Sequence, residues 1–151
     1  MLPWTVAIAS VRERFCERRR EVFGVIGPYL MVALGGALGS AARLGVVRLG
    51  QALFGSGFPV GTLAVNFIGS AIMGLLAALL AGRPGDDGLR LFLMTGILGG
   101  FTTFSAFSLD AYALWTRGEA GIAVLYVLGS LVLGLAGLGA GLALGRSWGT
   151  L

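Results

Sequence analysis

Apolar residues run almost unbroken from about residue 27, and the few interruptions give the chain its form. Four runs, at about 27–49, 59–81, 89–115 and 120–144, each come near the roughly 20 residues a helix needs to cross a bilayer. The stretches between them, 50–58, 82–88 (with Pro84-Gly85-Asp86-Asp87) and 116–119, are too short to hold an extramembrane domain. Whatever this protein does is therefore expected within the bilayer. The pattern predicts an all-α membrane protein in which residues 27–146 form a four-helix transmembrane domain. Residues 1–26 read as a basic, amphipathic extension on the cytoplasmic face, and 147–151 as a tail. The apolar run after the arginines is too long for a signal-peptide core and no small-residue site closes it, so no cleavage is expected.

The third run carries the strongest signal. Gly96-Ile97-Leu98-Gly99-Gly100-Phe101-Thr102-Thr103-Phe104-Ser105-Ala106-Phe107 places paired glycines and paired threonines in mid-membrane. Glycine is a poor helix former, and threonine hydroxyls offer the backbone other partners. A broken helix in hydrocarbon leaves N–H and C=O groups unpaired at several kcal/mol each, a cost tolerated where an ion or substrate sits. This predicts a third helix broken in mid-membrane, and a conduit in place of a catalyst.

Polar positions inside the other spans fall on shared faces. Thr62, Asn66 and Ser70 recur every four residues. They serve either as interhelical glue or as a ladder of donors lining an anion path. Phe104 and Phe107 lie three apart beyond the break, as packing or as ring edges turned to an anion. Tyr126 and Ser130 lie four apart with Gly134 next, and Tyr126 fits an interfacial belt as well as a pore. Gly137, Gly141 and Gly145 form a small-residue row that predicts a close helix contact. Arg43 either snorkels to the headgroups or draws anions into a vestibule. Asp110 is the only acid within a span, and its role is open.

Composition sharpens this picture. The 151 residues are 56% hydrophobic and 12% charged, where a soluble domain carries about twice that charge. Mean hydropathy is +0.90. The net charge of +4 comes with eleven basic residues, all arginine, and no histidine, which removes the usual proton relay and the commonest metal ligand. The arginines form no stripe interleaved with exposed aromatics, which argues against nucleic acid. The lone Cys16 has no partner for an intramolecular disulfide. Arg43, Arg48 and Arg117 fall on one side of the membrane and Arg83, Arg90 and Arg146 on the other, so charge sets no orientation until the extension is counted. With its five arginines the balance is eight to three and favours the N-terminus inside; the other reading is that translation starts later, at Met31. No nucleophile with a base and no acidic pair is present, so no enzyme is expected.

Three blocks, Gly35-Gly36-Ala37-Leu38-Gly39-Ser40-Ala41-Ala42-Arg43, Gly61-Thr62-Leu63-Ala64-Val65-Asn66-Phe67-Ile68-Gly69 and Gly99-Gly100-Phe101-Thr102-Thr103-Phe104-Ser105-Ala106-Phe107, resemble the bacterial fluoride channel family, the camphor-resistance (CrcB-type) or Fluc proteins. The resemblance covers about residues 28–146. It implies an antiparallel, dual-topology homodimer in the bacterial inner membrane, passing fluoride out of the cell along two pathways. It also implies a structural sodium ion on the two-fold axis, bound but not conducted, held by the Gly99 and Thr102 carbonyls of each subunit. By the same resemblance Phe104 and Phe107 form the aromatic box and Asn66 the amide donor. Thr62, Ser105, Tyr126 and Ser130 belong to the polar track, and Arg43 is the first-helix arginine. Ala106 stands where the family often has threonine, and the N-terminal extension is unusual for it. Two other readings remain at this point: a small dual-topology multidrug or cation exporter, which typically needs an acid in the first span, and a non-conducting assembly subunit.

Overall fold

Long runs of leucine, alanine and valine leave the backbone no partner but itself in hydrocarbon, and helix is the result. The computed structural model describes residues 4–81, 85 and 87–149, with side-chain surroundings described at Gly24 and from Ile26. The expectations placed on the side chains of the N-terminal arginines and on Arg83, Pro84 and Asp86 lie outside the described residues. Four segments are long and apolar enough to cross a membrane: Ile26–Phe54, Val60–Leu79, Asp87–Thr116 and Ala120–Trp148.

Helix α1 (Trp4–Phe54) is longer than the span expected at 27–49. The arginine-rich stretch is not a separate helix: its Arg and Glu residues are good helix formers, and the helix runs on through Pro28. At the other end α1 passes Gly50 and stops at Gly55, whose φ of +77° ends the helix. Gly50 is used instead for packing, since a Cβ there would lie 3.0 Å from Gly61.

Helix α2 (Val60–Leu79) is followed by the third span, which comes in two pieces. The first, α3, runs from Asp87–Arg90 through a π-helical stretch, Leu91–Leu98, to Gly99–Phe101. Thr102 (ψ 159°) and Thr103 (ψ 124°) are then extended. Helix α4 (Phe104–Thr116) resumes beyond them. The break falls within the stretch where the sequence placed it. The last helix, α5 (Ala120–Gly149), includes residues expected as a tail, and Ser147 Oγ donates to the Leu144 carbonyl there at 2.8 Å.

Small residues bring these helices together backbone to backbone. On α5, Gly137 sits against Phe67 of α2, Gly141 against the Ala71 carbonyl and Gly145 against Ala78, as the small-residue row predicted. Gly74 of α2 returns the contact at Leu138. On α1, Gly39 faces the Ile97 carbonyl of α3, and a Cβ on Gly100 would lie 2.5 Å from Gly36 O. The buried cluster Leu114, Ala123 and Tyr126, flanked by Phe58, Leu63, Phe107 and Ala111, joins α4 and α5 to the start of α2. Two arginines tie connections at opposite ends of the bundle. Arg117 Nη2 donates to Gly57 O at 2.7 Å, and Arg90 Nη2 donates to the Leu80 carbonyl.

Candidate functional site

Breaking a helix at Thr102 and Thr103 frees polar groups at membrane depth, and each must be met. Thr102 N–H still reaches Leu98 O at 2.9 Å, and Thr102 Oγ1 donates to the same oxygen at 2.9 Å. Thr103 has left the helix, and Asn66 of α2 meets it on both edges. Thr103 N–H donates to Asn66 Oδ1 at 2.9 Å, and Asn66 Nδ2 donates to Thr103 O at 3.0 Å. Thr103 then caps α4: its Oγ1 accepts from Ala106 N at 3.1 Å and lies 3.3 Å from Ser105 Oγ.

The break leaves the four carbonyls of residues 99–102 without their helical donors, and Gly100 O is met by Ser40 Oγ at 3.4 Å. In a continuous helix, Gly99 O would take the Thr103 N–H and Thr102 O the Ala106 N–H. Both donors are turned elsewhere, to Asn66 Oδ1 and Thr103 Oγ1. Among the described residues no three His, Cys, Asp or Glu side chains gather as a metal site. Carbonyl oxygens freed by the break are the oxygen donors at hand for a hard cation.

Beside the break lies an open groove of about 420 Å³. Asn66, Ser70, Thr102, Thr103, Phe104, Phe107 and Ser130 face it, with Met73, Leu131 and Leu138 as apolar wall. Its hydrogen-bond donors are amide and hydroxyl groups, and among the described residues no charged side chain lines it. Asn66 has a second amide hydrogen beyond the one bound to Thr103 O. Ser130 Oγ is buried without a partner. The Phe104 and Phe107 rings are 5.6 Å apart at 40°, and Phe107 continues onto Tyr126 at 5.4 Å. Phe58 meets Tyr126 edge-on at 5.6 Å and 89°.

On the far side of the Phe107–Tyr126 pair a smaller recess of about 180 Å³ opens toward the 55–59 connection. Thr62, Asp110, Gln51, Ser56 and Arg117 line it. Tyr126 OH donates to Asp110 Oδ2 at 3.4 Å, a long bond that places the acid at the rings' inner edge. Groove and recess thus follow one another along the Thr62–Asn66–Ser70 face of α2, with the aromatic pair between them.

Most of the expected site residues converge here. Asn66, Phe104, Phe107, Ser130 and Thr102 line the groove, Thr62 lines the recess, and Tyr126 stands between, buried in the core. Three residues stand apart. Ser105 is exposed on α4 beside Thr103, Gly99 is exposed on α3, and Arg43 is half-buried on α1 and lines neither cavity. Thr103, the partner of Asn66, was not singled out from the sequence. Its signal is local: a threonine three residues before Ala106, at the restart of a helix, is an N-cap position.

A profile described as CrcB-like protein, Camphor Resistance (CrcB), matches residues 30–142. The chain is 63% identical over 118 residues to a Paracoccus denitrificans protein called "Fluoride-specific ion channel FluC", covering 78% of this chain and 94% of that one. A Cereibacter sphaeroides protein of the same description is 54% identical over 124 residues, 82% of this chain and 98% of its own length. One from Agrobacterium fabrum is 53% identical over 118 residues, covering 78% and 94%.

Proposed function

The chain belongs to the CrcB-like, camphor-resistance family, and from that premise we propose that it is a fluoride-selective channel of the bacterial cell membrane. It lets fluoride run down its electrochemical gradient out of the cell and so lowers cytoplasmic fluoride. One observation carries the reading. An amide hydrogen of Asn66, the unpartnered Ser130 hydroxyl and the Phe104 and Phe107 rings face one groove beside a broken helix.

Fluoride is small and strongly hydrated, so a pore must replace its water with other donors. Neutral amide and hydroxyl hydrogens do this without a fixed positive charge that would hold the ion. Ring edges carry positive quadrupole and add to them. Larger halides are excluded by narrowness and by donor geometry.

The working unit in this proposal is an antiparallel pair of copies, inserted both ways up. A single chain leaves Phe104 78% exposed, so one copy gives the ring no enclosing wall. A second copy supplies that wall and brings the Gly99 and Thr102 carbonyls of both chains together around a structural sodium ion. Two carbonyls are too few for a hard cation, and a two-fold axis between the copies would turn four of them toward one ion. Bound there, sodium would neutralise the bared carbonyls and hold the two breaks together. The exporter reading lacks its acid, because Ile26–Phe54 contains none.

The test is fluoride loss from liposomes holding purified protein, read with a fluoride electrode, with valinomycin carrying potassium and chloride as the control ion. Fast loss of fluoride alone is expected. Phe104→Ile and Phe107→Ile are each expected to abolish it while leaving assembly intact. Full flux in both variants would refute the role of the rings, and no flux in the unmodified, folded protein would refute the channel.

A further inference from the structure

Helix α4 ends in a turn whose geometry fixes two opposite charges at the lip of the recess. Gly118 takes φ +83°, Glu119 N–H reaches back to Leu114 O at 3.1 Å, and Gly118 N–H to Trp115 O at 3.0 Å. This paired closure with a left-handed glycine leaves the flanking residues 117 and 119 on one side of the turn. Arg117 Nη2 then donates both to Gly57 O at 2.7 Å and to Glu119 Oε2 at 3.3 Å. The side chains remain 43% and 38% exposed, open to solution.

Among the described residues, Arg117 is the only basic one lining the recess, and Asp110, held by Tyr126, the only acid. Thr62 and Asp110 line the recess, Asp110 accepts from Tyr126, and Tyr126 in turn packs on Phe107, which lines the groove. A cleft with low-dielectric walls focuses the field of a charge at its mouth and raises the local concentration of counter-ions. The deeper groove has only neutral donors, which suits release of an anion and does nothing to gather it. Resting on the fluoride-channel reading, we propose that Arg117 is the intake charge of the conduit on this face. Glu119, 3.3 Å away, and Asp110 on the same recess both attenuate its pull. The same guanidinium also clamps the 55–59 connection over the recess, so charge and mouth geometry share one side chain.

The experiment compares initial fluoride efflux from neutral phosphatidylcholine liposomes at low and high concentrations of an impermeant salt. Unmodified protein, Arg117→Gln, Arg117→Lys and Glu119→Gln are reconstituted at equal copy number. Arg117→Gln is expected to slow efflux by about threefold at low ionic strength and by little at high, because salt screens a field at the mouth within about 10 Å. Arg117→Lys keeps the charge and is expected to keep the rate, and Glu119→Gln to raise it at low salt. A rate in Arg117→Gln that equals the unmodified one at both salts overturns the intake role. Equal slowing at both salts, or an Arg117→Lys as slow as Arg117→Gln, also overturns it and makes Arg117 a clamp only. An unmodified protein that passes no fluoride at any salt overturns the channel reading and this inference with it.

Discussion

At Asn66 a single carboxamide meets both the N–H and the C=O of Thr103, the pairing one strand makes with another. Removing it strands two backbone groups at membrane depth, each at about 1–3 kcal/mol. Asn66→Ala is therefore expected to lower the melting temperature in detergent as well as the flux. Ser130 poses the opposite case. Its buried hydroxyl has no partner among the described residues, so replacing it costs the fold little and removes a donor from the groove. Ser130→Ala is expected to melt at the original temperature or above while passing fluoride roughly tenfold more slowly, a factor worth about 1.4 kcal/mol. Paired melting and efflux curves check both, and an unchanged rate in Ser130→Ala would remove that hydroxyl from the path. The shared face of Thr62, Asn66 and Ser70 was legible from spacing alone. That Asn66 would meet residue 103 was not, because no local pattern relates positions on two helices.

Among the elements, the four spans and the break were readable because lipid imposes them: hydrocarbon demands apolar length, and paired glycines and threonines resist helix. The ends were not readable in the same way. Gly50 and Gly55 look alike in sequence, yet one packs on Gly61 and the other turns the chain with positive φ. The row Gly137, Gly141 and Gly145 was legible as a contact, though not that its partner is α2. Gly39 sets how closely α1 can approach α3, since any Cβ there overlaps the Ile97 carbonyl. Backbone cannot yield as a side-chain tip does, and overpacking typically costs about 1–3 kcal/mol. Gly39→Val is accordingly expected to lose folded protein on size-exclusion chromatography, whereas Gly45→Val, with open space around it, keeps it.

For the molecule as a whole, one chain ends with an aromatic ring of its own groove facing outward and the Gly99 carbonyl without its helical donor. Light scattering of the detergent-solubilised protein is expected to give twice the 15.5 kDa of one chain, and a conducting monomer would refute the paired assembly. The double bond between Asn66 and Thr103 has a mechanical meaning at this scale. It fastens the break in the third span to the unbroken rod of α2 at two points. In the proposed channel the waist is thus a fixed fitting and not a moving part, and the donors set there decide both which ions fit and how fast they pass.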